Sequence, residues 1–291
     1  MTDKRFNIVG IGEILWDLLP TGKQPGGAPA NFAYVSKQLG GNGIVASRVG
    51  NDDLGKDLSK ELSKKIAVED IQIDEKFQTG VVNVNFENGQ PNYEIVENAA
   101  WDFLELTEAW KEIAQKADAV CFGSLAQRNE VSRKTIREFV SLTRSDCWRI
   151  FDVNLRQNYF SAEILRESLQ TANVVKLNHE ELPIIADIFE IKAADETERA
   201  KNLREKFGLR VVCVTRGANG SLLIAENETS AHAGIEVEIA DTVGAGDAFT
   251  AAMTHGFLKG WSLEEINQKA NRIGAFVASK AGAMPDFSAR Q

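Results

Sequence analysis

A chain of 291 residues that is 43% hydrophobic has the length and core material for one large α/β domain, with or without a small accessory piece. Its net charge of −9 argues against nucleic acid or an anionic membrane as the main partner, while leaving room for an anionic substrate in a local basic pocket. Cys121, Cys147 and Cys213 form no C-x-x-C pair and His179, His232 and His255 show no metal-ligand spacing, so a disulfide framework and a zinc site are not expected and a reducing, cytoplasmic setting is. The N-terminal layout is not that of a signal peptide, and no apolar run reaches membrane-spanning length.

Residues 6–12 read as a buried strand, too continuously apolar for a surface one. Glu13 and Asp17 follow on either side of Ile14-Leu15-Trp16, and residues 19–29 read as a turn-rich connection. A helix is expected next from Ala28, Phe32, Val35 and Leu39. The Gly26-Gly27 pair before it suits a tight turn or the close approach of a ligand. Asn31 can start the helix or point back to the same place. Residues 44–50 form another strand, and Leu54, Leu58 and Leu62 mark a helix face. Val82, Val84 and Phe86 then alternate with polar residues, stop at Asn88-Gly89 and resume through Tyr93 and Ile95. That pattern predicts a hairpin with a type I′ turn, serving as a flap or an interface strand whose edge needs covering.

From residue 117 the rhythm is regular. Strands at 118–123, 149–153, 173–177 and 211–215 alternate with helices near 105–116, 132–143, 161–171 and 197–207. Such βα alternation predicts a mostly parallel sheet with helices on both faces. Functional groups then gather beyond the carboxyl ends of the strands. Polar clusters fall there: residues 124–128, Asp152 with Asn154 and Arg156, residues 178–181, and residues 215–220 before a further strand at 221–225.

Ala240-Asp241-Thr242-Val243-Gly244-Ala245-Gly246-Asp247 runs through two glycines into an apolar helix beginning near Ala245. Backbone N–H groups and a helix N-terminus make this an anion cradle. Asp247 inside the first turn is either an ordinary helix-start acid or a proton acceptor beside that cradle. Ser262 and Glu265 then form a capping box, and Leu263, Ile266, Ala270, Ile273 and Val277 give the last helix a packing face. Walker A and protein-kinase signatures are absent from the sequence.

Four of these stretches, in order across nearly the whole chain, resemble the signatures of the ribokinase-like carbohydrate kinases. Gly26-Gly27-Ala28-Pro29-Ala30-Asn31, with Gly40 and Gly50 beyond it, resembles the first signature, and Asp241 to Asp247 the second. Asn178-His179-Glu180-Glu181 resembles an N-x-x-E magnesium motif, and Thr215 to Gly220 a T-x-G-x-x-G nucleotide loop. The resemblance implies a three-layer αβα sandwich with a mostly parallel central sheet, in a single kinase domain over residues 1–291. It also implies a small β-lid drawn from residues 13–27 and 76–100.

In that family pattern Asp247 takes the proton from a sugar hydroxyl, while Gly244, Ala245 and Gly246 supply amides to the phosphoryl group. Asp17, Gly26, Gly27, Asn31 and Arg156 fall at sugar-binding positions. Asn178 and Glu181 arrange Mg²⁺ and phosphates, and Thr215, Gly217, Gly220 and Asn271 contact ATP. Asp241, the Val243 carbonyl and Gly282 match a monovalent-cation (K⁺) loop. Gly-Gly-Ala-Pro-Ala-Asn most resembles fructokinases, and Asp152-Val153-Asn154-Leu155-Arg156 resembles an element shared with 2-keto-3-deoxygluconate kinases. The expected activity is therefore ATP-dependent phosphorylation of D-fructose. The alternatives are a keto-acid kinase, a ribokinase-type or vitamin-type kinase, and a non-catalytic sugar sensor. The implied partners are a small sugar, ATP and a second copy of the chain through the lid edge.

Overall fold

The computed structural model describes residues 5–19, 22–87 and 90–287. In chain order the first elements are β1 (Asn7–Ile11), β2 (Leu15–Leu19), β3 (Gly22–Gly26), α1 (Ala28–Gln38), β4 (Asn42–Gly50), α2 (Asp53–Ser63), β5 (Ile71–Asp74), β6 (Gly80–Glu87) and β7 (Gln90–Ile95). Next come α3 (Glu108–Lys116), β8 (Ala119–Phe122), α4 (Glu130–Ser141), β9 (Trp148–Asp152), α5 (Ala162–Thr171), β10 (Val174–Asn178) and α6 (Glu181–Ile188). The chain closes with α7 (Glu196–Phe207), β11 (Val211–Thr215), β12 (Ser221–Ile224), β13 (Thr229–His232), α8 (Ala245–Lys259) and α9 (Leu263–Ala278).

Nine strands form the central sheet in the order β13-β12-β11-β10-β9-β8-β1-β4-β5. The seven from β11 to β5 run parallel, β12 runs antiparallel to β11, and β13 pairs antiparallel with β12. Successive strand residues serve opposite faces, as the two-residue period demands. Val9, Val175 and Val212 pack with helices α3 to α7. Ile8, Val174 and Cys213 pack with α1, α2, α8 and α9. The result is the expected three-layer α/β sandwich with a mostly parallel sheet, and both faces of its strands are covered.

A second, four-stranded sheet has the order β3-β2-β6-β7. Residues 22–26, read from sequence as turn, pair antiparallel with β2. β3 lacks β-branched and aromatic residues and contains Pro25, which an edge position tolerates because no ladder donor is needed there. β6 and β7 pair from Val82↔Ile95 to Glu87↔Gln90; the predicted Asn88-Gly89 turn lies outside the described residues. The second sheet is tied to the core at Arg128, which donates Nε and Nη2 to Asp102 at 2.8 Å each and Nη2 to the Val96 carbonyl at 2.6 Å. Its guanidinium lies against the rings of Trp101 and Tyr159. Arg128 thus braces the structure and is not turned to the rim where the sequence pattern had grouped it.

Helix starts follow local chemistry. Asp52, Thr107, Asn129, Ser161, Asp195 and Ser262 each accept a backbone N–H of the helix they precede. Neither α1 nor α8 has a side-chain cap; both follow a glycine with positive φ, Gly27 at 115° and Gly244 at 76°.

Candidate active site

The parallel strands end at one rim, and register sets who meets whom there. Asn178 is level with Thr215, and Asp152 is level with Lys176. The helices α1 and α8 bring their N-termini to the same rim. Asn31, in the first turn of α1, donates Nδ2 to Asp247 Oδ2 at 2.8 Å, joining residues 216 apart in sequence. A narrow cleft opens beside this pair, lined in part by Ala28, Pro29, Cys121, Asp152, Asp247 and Thr250. A wider groove on the outer helical layer, at Arg166, Phe189 and Phe207, holds none of the predicted residues.

The two glycines are required by geometry. A methyl group on Gly27 would lie 2.5 Å from the Glu13 carbonyl oxygen, and one on Gly244 would lie 2.4 Å from the Ala283 Cβ. Their positive φ values add strain for any L side chain. At the start of α8, Ala245 N–H closes a turn on the Thr242 carbonyl at 3.3 Å, so of the three predicted amide donors this one already has an acceptor. Asp247 follows in the same turn as its only acid.

The electrostatics of this corner are unusual. Burial, then the charge of Asp152, pushes the Asp247 carboxyl up to about 6, against the pull of Asn31, Lys176 and Arg156. Glu13 is 4% exposed and is pushed up to about 7, chiefly by burial, with the Asp247 charge adding to the effect. Among the described residues its Oε2 has no hydrogen-bond partner, and neither has Asn31 Oδ1. Two buried acceptors beside an acid with raised proton affinity suit a ligand that brings hydroxyl groups. Asp17 also lies above its ordinary value through burial, with Arg156 acting the other way. A methyl group on Gly26 would meet Asp17 Oδ2 at 2.4 Å, so that glycine gives the carboxylate its place. Arg156 is exposed, donates to the Leu155 carbonyl at 3.1 Å, and acts electrostatically on Glu13, Asp17 and Asp247.

The remaining predicted positions form two further groups. Asn178 Oδ1 accepts the Glu180 and Glu181 N–H groups at 2.9 and 2.8 Å. Glu181 accepts the Leu155 N–H through Oε1 at 2.7 Å and the Asn178 N–H through Oε2 at 2.8 Å. Both side chains therefore shape the loop after β10. No group of three or more metal-ligating side chains occurs among the described residues. The set suits Mg²⁺ held mainly by water and phosphate, with Glu181 near it, rather than a protein cage. Beside this loop, Gly217 has open space around its Cα, whereas Gly220 is packed so that a methyl group would meet the His232 carbonyl oxygen. Thr215 Oγ1 is 3.5 Å from the Leu177 carbonyl.

Asn271 is buried and turns its amide to Ser221 Oγ at 2.7 Å and to Asn267, bridging α9 to β12. Asp241 accepts the Val243 N–H at 3.0 Å and the Gly282 N–H at 3.2 Å, so the three residues of the predicted cation loop do meet.

Lys176 and Thr250 reach the site with no motif announcing them. Lys176 Nζ lies 3.0 and 3.2 Å from the two Asp152 oxygens, and Thr250 Oγ1 donates to Asp152 Oδ2 at 2.9 Å. The available sequence signal was a charged residue inside the apolar run 173–177.

Comparison with known proteins bears on the chain as a whole. The profile describing the pfkB family carbohydrate kinases matches residues 20–290. An uncharacterized sugar kinase of Pyrococcus horikoshii is 32% identical over 298 residues, covering 95% of this chain and 91% of that protein. Its crystal structure aligns with a TM-score of 0.82 over 95% of this chain and 93% of that one, and a second structure of the same protein is a complex with ATP. A fructokinase of Escherichia coli is 29% identical over 303 residues, 97% of this chain and 96% of its own. An ATP-dependent 6-phosphofructokinase of Thermoanaerobacterium thermosaccharolyticum is 26% identical over 306 residues, 98% and 92% respectively.

Proposed function

The chain belongs to the pfkB family of carbohydrate kinases, and from that premise we propose that it transfers the γ-phosphoryl group of ATP to D-fructose, giving fructose 6-phosphate. The observation that carries the reading is Asp247: a carboxylate with raised proton affinity, held by Asn31, in the uncapped first turn of α8 and on the wall of a cleft. Phosphoryl transfer asks the protein mainly for positioning and for charge stabilisation, with little covalent work. In this reading the sugar hydroxyl sits between Asp247 and the phosphoryl group. Asp247 receives its proton, and the amides of Gly244, Ala245 and Gly246 face the phosphoryl oxygens, Ala245 less fully than the others. Asp17, Gly26, Gly27, Asn31 and Arg156 orient the sugar.

ATP lies over the open surface at Gly217, with Thr215 and Gly220 shaping the loop and Asn271 bracing it from behind. Mg²⁺ neutralises the phosphates when bound, with Asn178 and Glu181 fixing the loop beside it. Asp241, Val243 and Gly282 form the K⁺ loop. The full chain is one kinase domain whose second sheet is a lid, and two copies pair through that sheet's edge. The buried free thiols of Cys121, Cys147 and Cys213 suit a cytoplasmic protein. No helix among the described residues is long and apolar enough to cross a membrane.

Arg156 favours a second reading. Exposed and close in field to three acids, it suits a substrate carboxylate, as in a 2-keto-3-deoxygluconate kinase, or a sugar phosphate. A coupled assay of ADP release across fructose, fructose 6-phosphate, ribose, ketodeoxygluconate and nucleosides separates these. Fructose giving the highest kcat/KM supports the first reading, and any other sugar outranking it refutes the choice.

A further inference from the structure

Beneath the first turn of α8 the protein buries an ammonium group. Lys176 and Asp152 are 8% and 5% exposed, side by side on β10 and β9. A methyl group added to Gly246 would lie 3.2 Å from Lys176 Nζ, so the charge sits directly under the cradle. Lys176 bonds both oxygens of Asp152, Asp152 accepts Thr250 Oγ1, and that hydroxyl is also 3.0 Å from the Gly246 carbonyl. The ammonium is thereby linked through Asp152 and the Thr250 hydroxyl to α8 itself, one turn beyond the cradle. It has a third donor, and no third acceptor is found among the described residues.

Stability alone is a poor reason for such a pair, because desolvating two charges costs about what their attraction returns. The charge balance of the site gives a better one. Asp152, Glu181 and Asp247 all act on Lys176, and a phosphoryl group would bring further negative charge to the same place. Arg156 is exposed, which leaves Lys176 as the buried cation against the cradle. Resting on the kinase reading above, we propose that Lys176 is a positioning residue for phosphoryl transfer: its fixed charge offsets the acids around the cradle and, through Asp152 and Thr250, holds the first turn of α8 open to the phosphoryl oxygens.

The test compares Lys176→Met, Lys176→Arg and the double variant Lys176→Met/Asp152→Leu with wild type, reading kcat, both KM values, Tm and the affinity for ADP with aluminium fluoride. The expected result is a kcat lower by about 10²–10³-fold in Lys176→Met, with the sugar KM within about threefold. Lys176→Arg, which keeps the charge, should recover part of that loss. Affinity for ADP with aluminium fluoride should fall while affinity for ADP alone holds. The double variant removes the unpaired buried acid, so its Tm should return toward wild type while kcat stays low. A kcat that recovers together with Tm in the double variant would reduce the pair to scaffolding and overturn the proposal. So would a near-normal kcat in Lys176→Met. A wild-type chain that turns over no sugar with ATP would instead remove the kinase reading on which the proposal rests.

Discussion

The last two helices pack against each other yet begin in opposite ways. α9 starts with a capping box in which Ser262 and Glu265 answer each other's backbone N–H groups. α8 starts at a left-handed glycine with no side-chain cap, beside a carboxylate of raised proton affinity and above a buried lysine. By the rules of helix stability α9 is well made and α8 is left unfinished. Yet α8 is the more deeply buried, with every residue from Ala248 to Phe257 inside the core. Its place is fixed by packing along its length, so its first turn is free to face a ligand. The comparison teaches that the departure from local stability rules falls at the turn where we propose the chemistry takes place.

The largest expected effect follows from the α8 side of the contrast. Asp247→Asn should lower kcat by about 10²–10⁴ with a smaller change in ATP binding. Burial raises the folded-state value of this acid from 3.8 to about 6, so its ionised form is a cost to stability that is fully present above pH 6 and vanishes below 3.8. The Asn variant should therefore melt no lower than wild type at pH 7.5, by calorimetry. Large loss of both activity and Tm would make Asp247 a structural acid instead.

Next in size is the pH profile of the wild-type enzyme. A base must be deprotonated to act, so kcat/KM should be level above about pH 6 and fall below it, approaching tenfold per unit. An acid limb near the ordinary aspartate value would mean that the carboxyl is solvated in the working enzyme.

Substitutions at the two helix starts, ending on the smallest expected effect, sharpen the comparison most. Gly244→Ala forces a side chain into positive φ and against Ala283, and should cost about 1–3 kcal/mol in urea unfolding together with most of the activity. Ser262→Ala should cost about 1 kcal/mol and leave kcat unchanged. Equal losses of activity in the two variants would erase the distinction between the two helix starts.

Much of this could be read in advance because the controlling features are local. Continuous apolar runs announced β1, β8, β10 and β11, and the periodic stretches announced α1, α2 and α9. The short strands β5 and β13 carry too little pattern to stand alone and form because a neighbouring edge offers them hydrogen bonds. β3 reads as turn for the same reason. At the site, motif residues in one turn of chain, such as Gly244 and Asp247, were legible together. The Lys176–Asp152–Thr250 network was not, since its partners are 24 and 98 residues apart and only sheet register and the docking of α8 bring them into contact. Arg128 reads as a rim cation for a related reason: its partners, Asp102 and Trp101, lie on a segment whose folded position no local pattern gives.

The most direct test of the account is the distance between Asp247 and the acceptor hydroxyl in a crystal structure with fructose, ADP and aluminium fluoride. The expected result is a carboxylate oxygen about 2.6–3.2 Å from that hydroxyl, with the fluoride facing the amides at the start of α8. A sugar bound beyond hydrogen-bond reach of Asp247, or a fluoride held away from that turn, would contradict it.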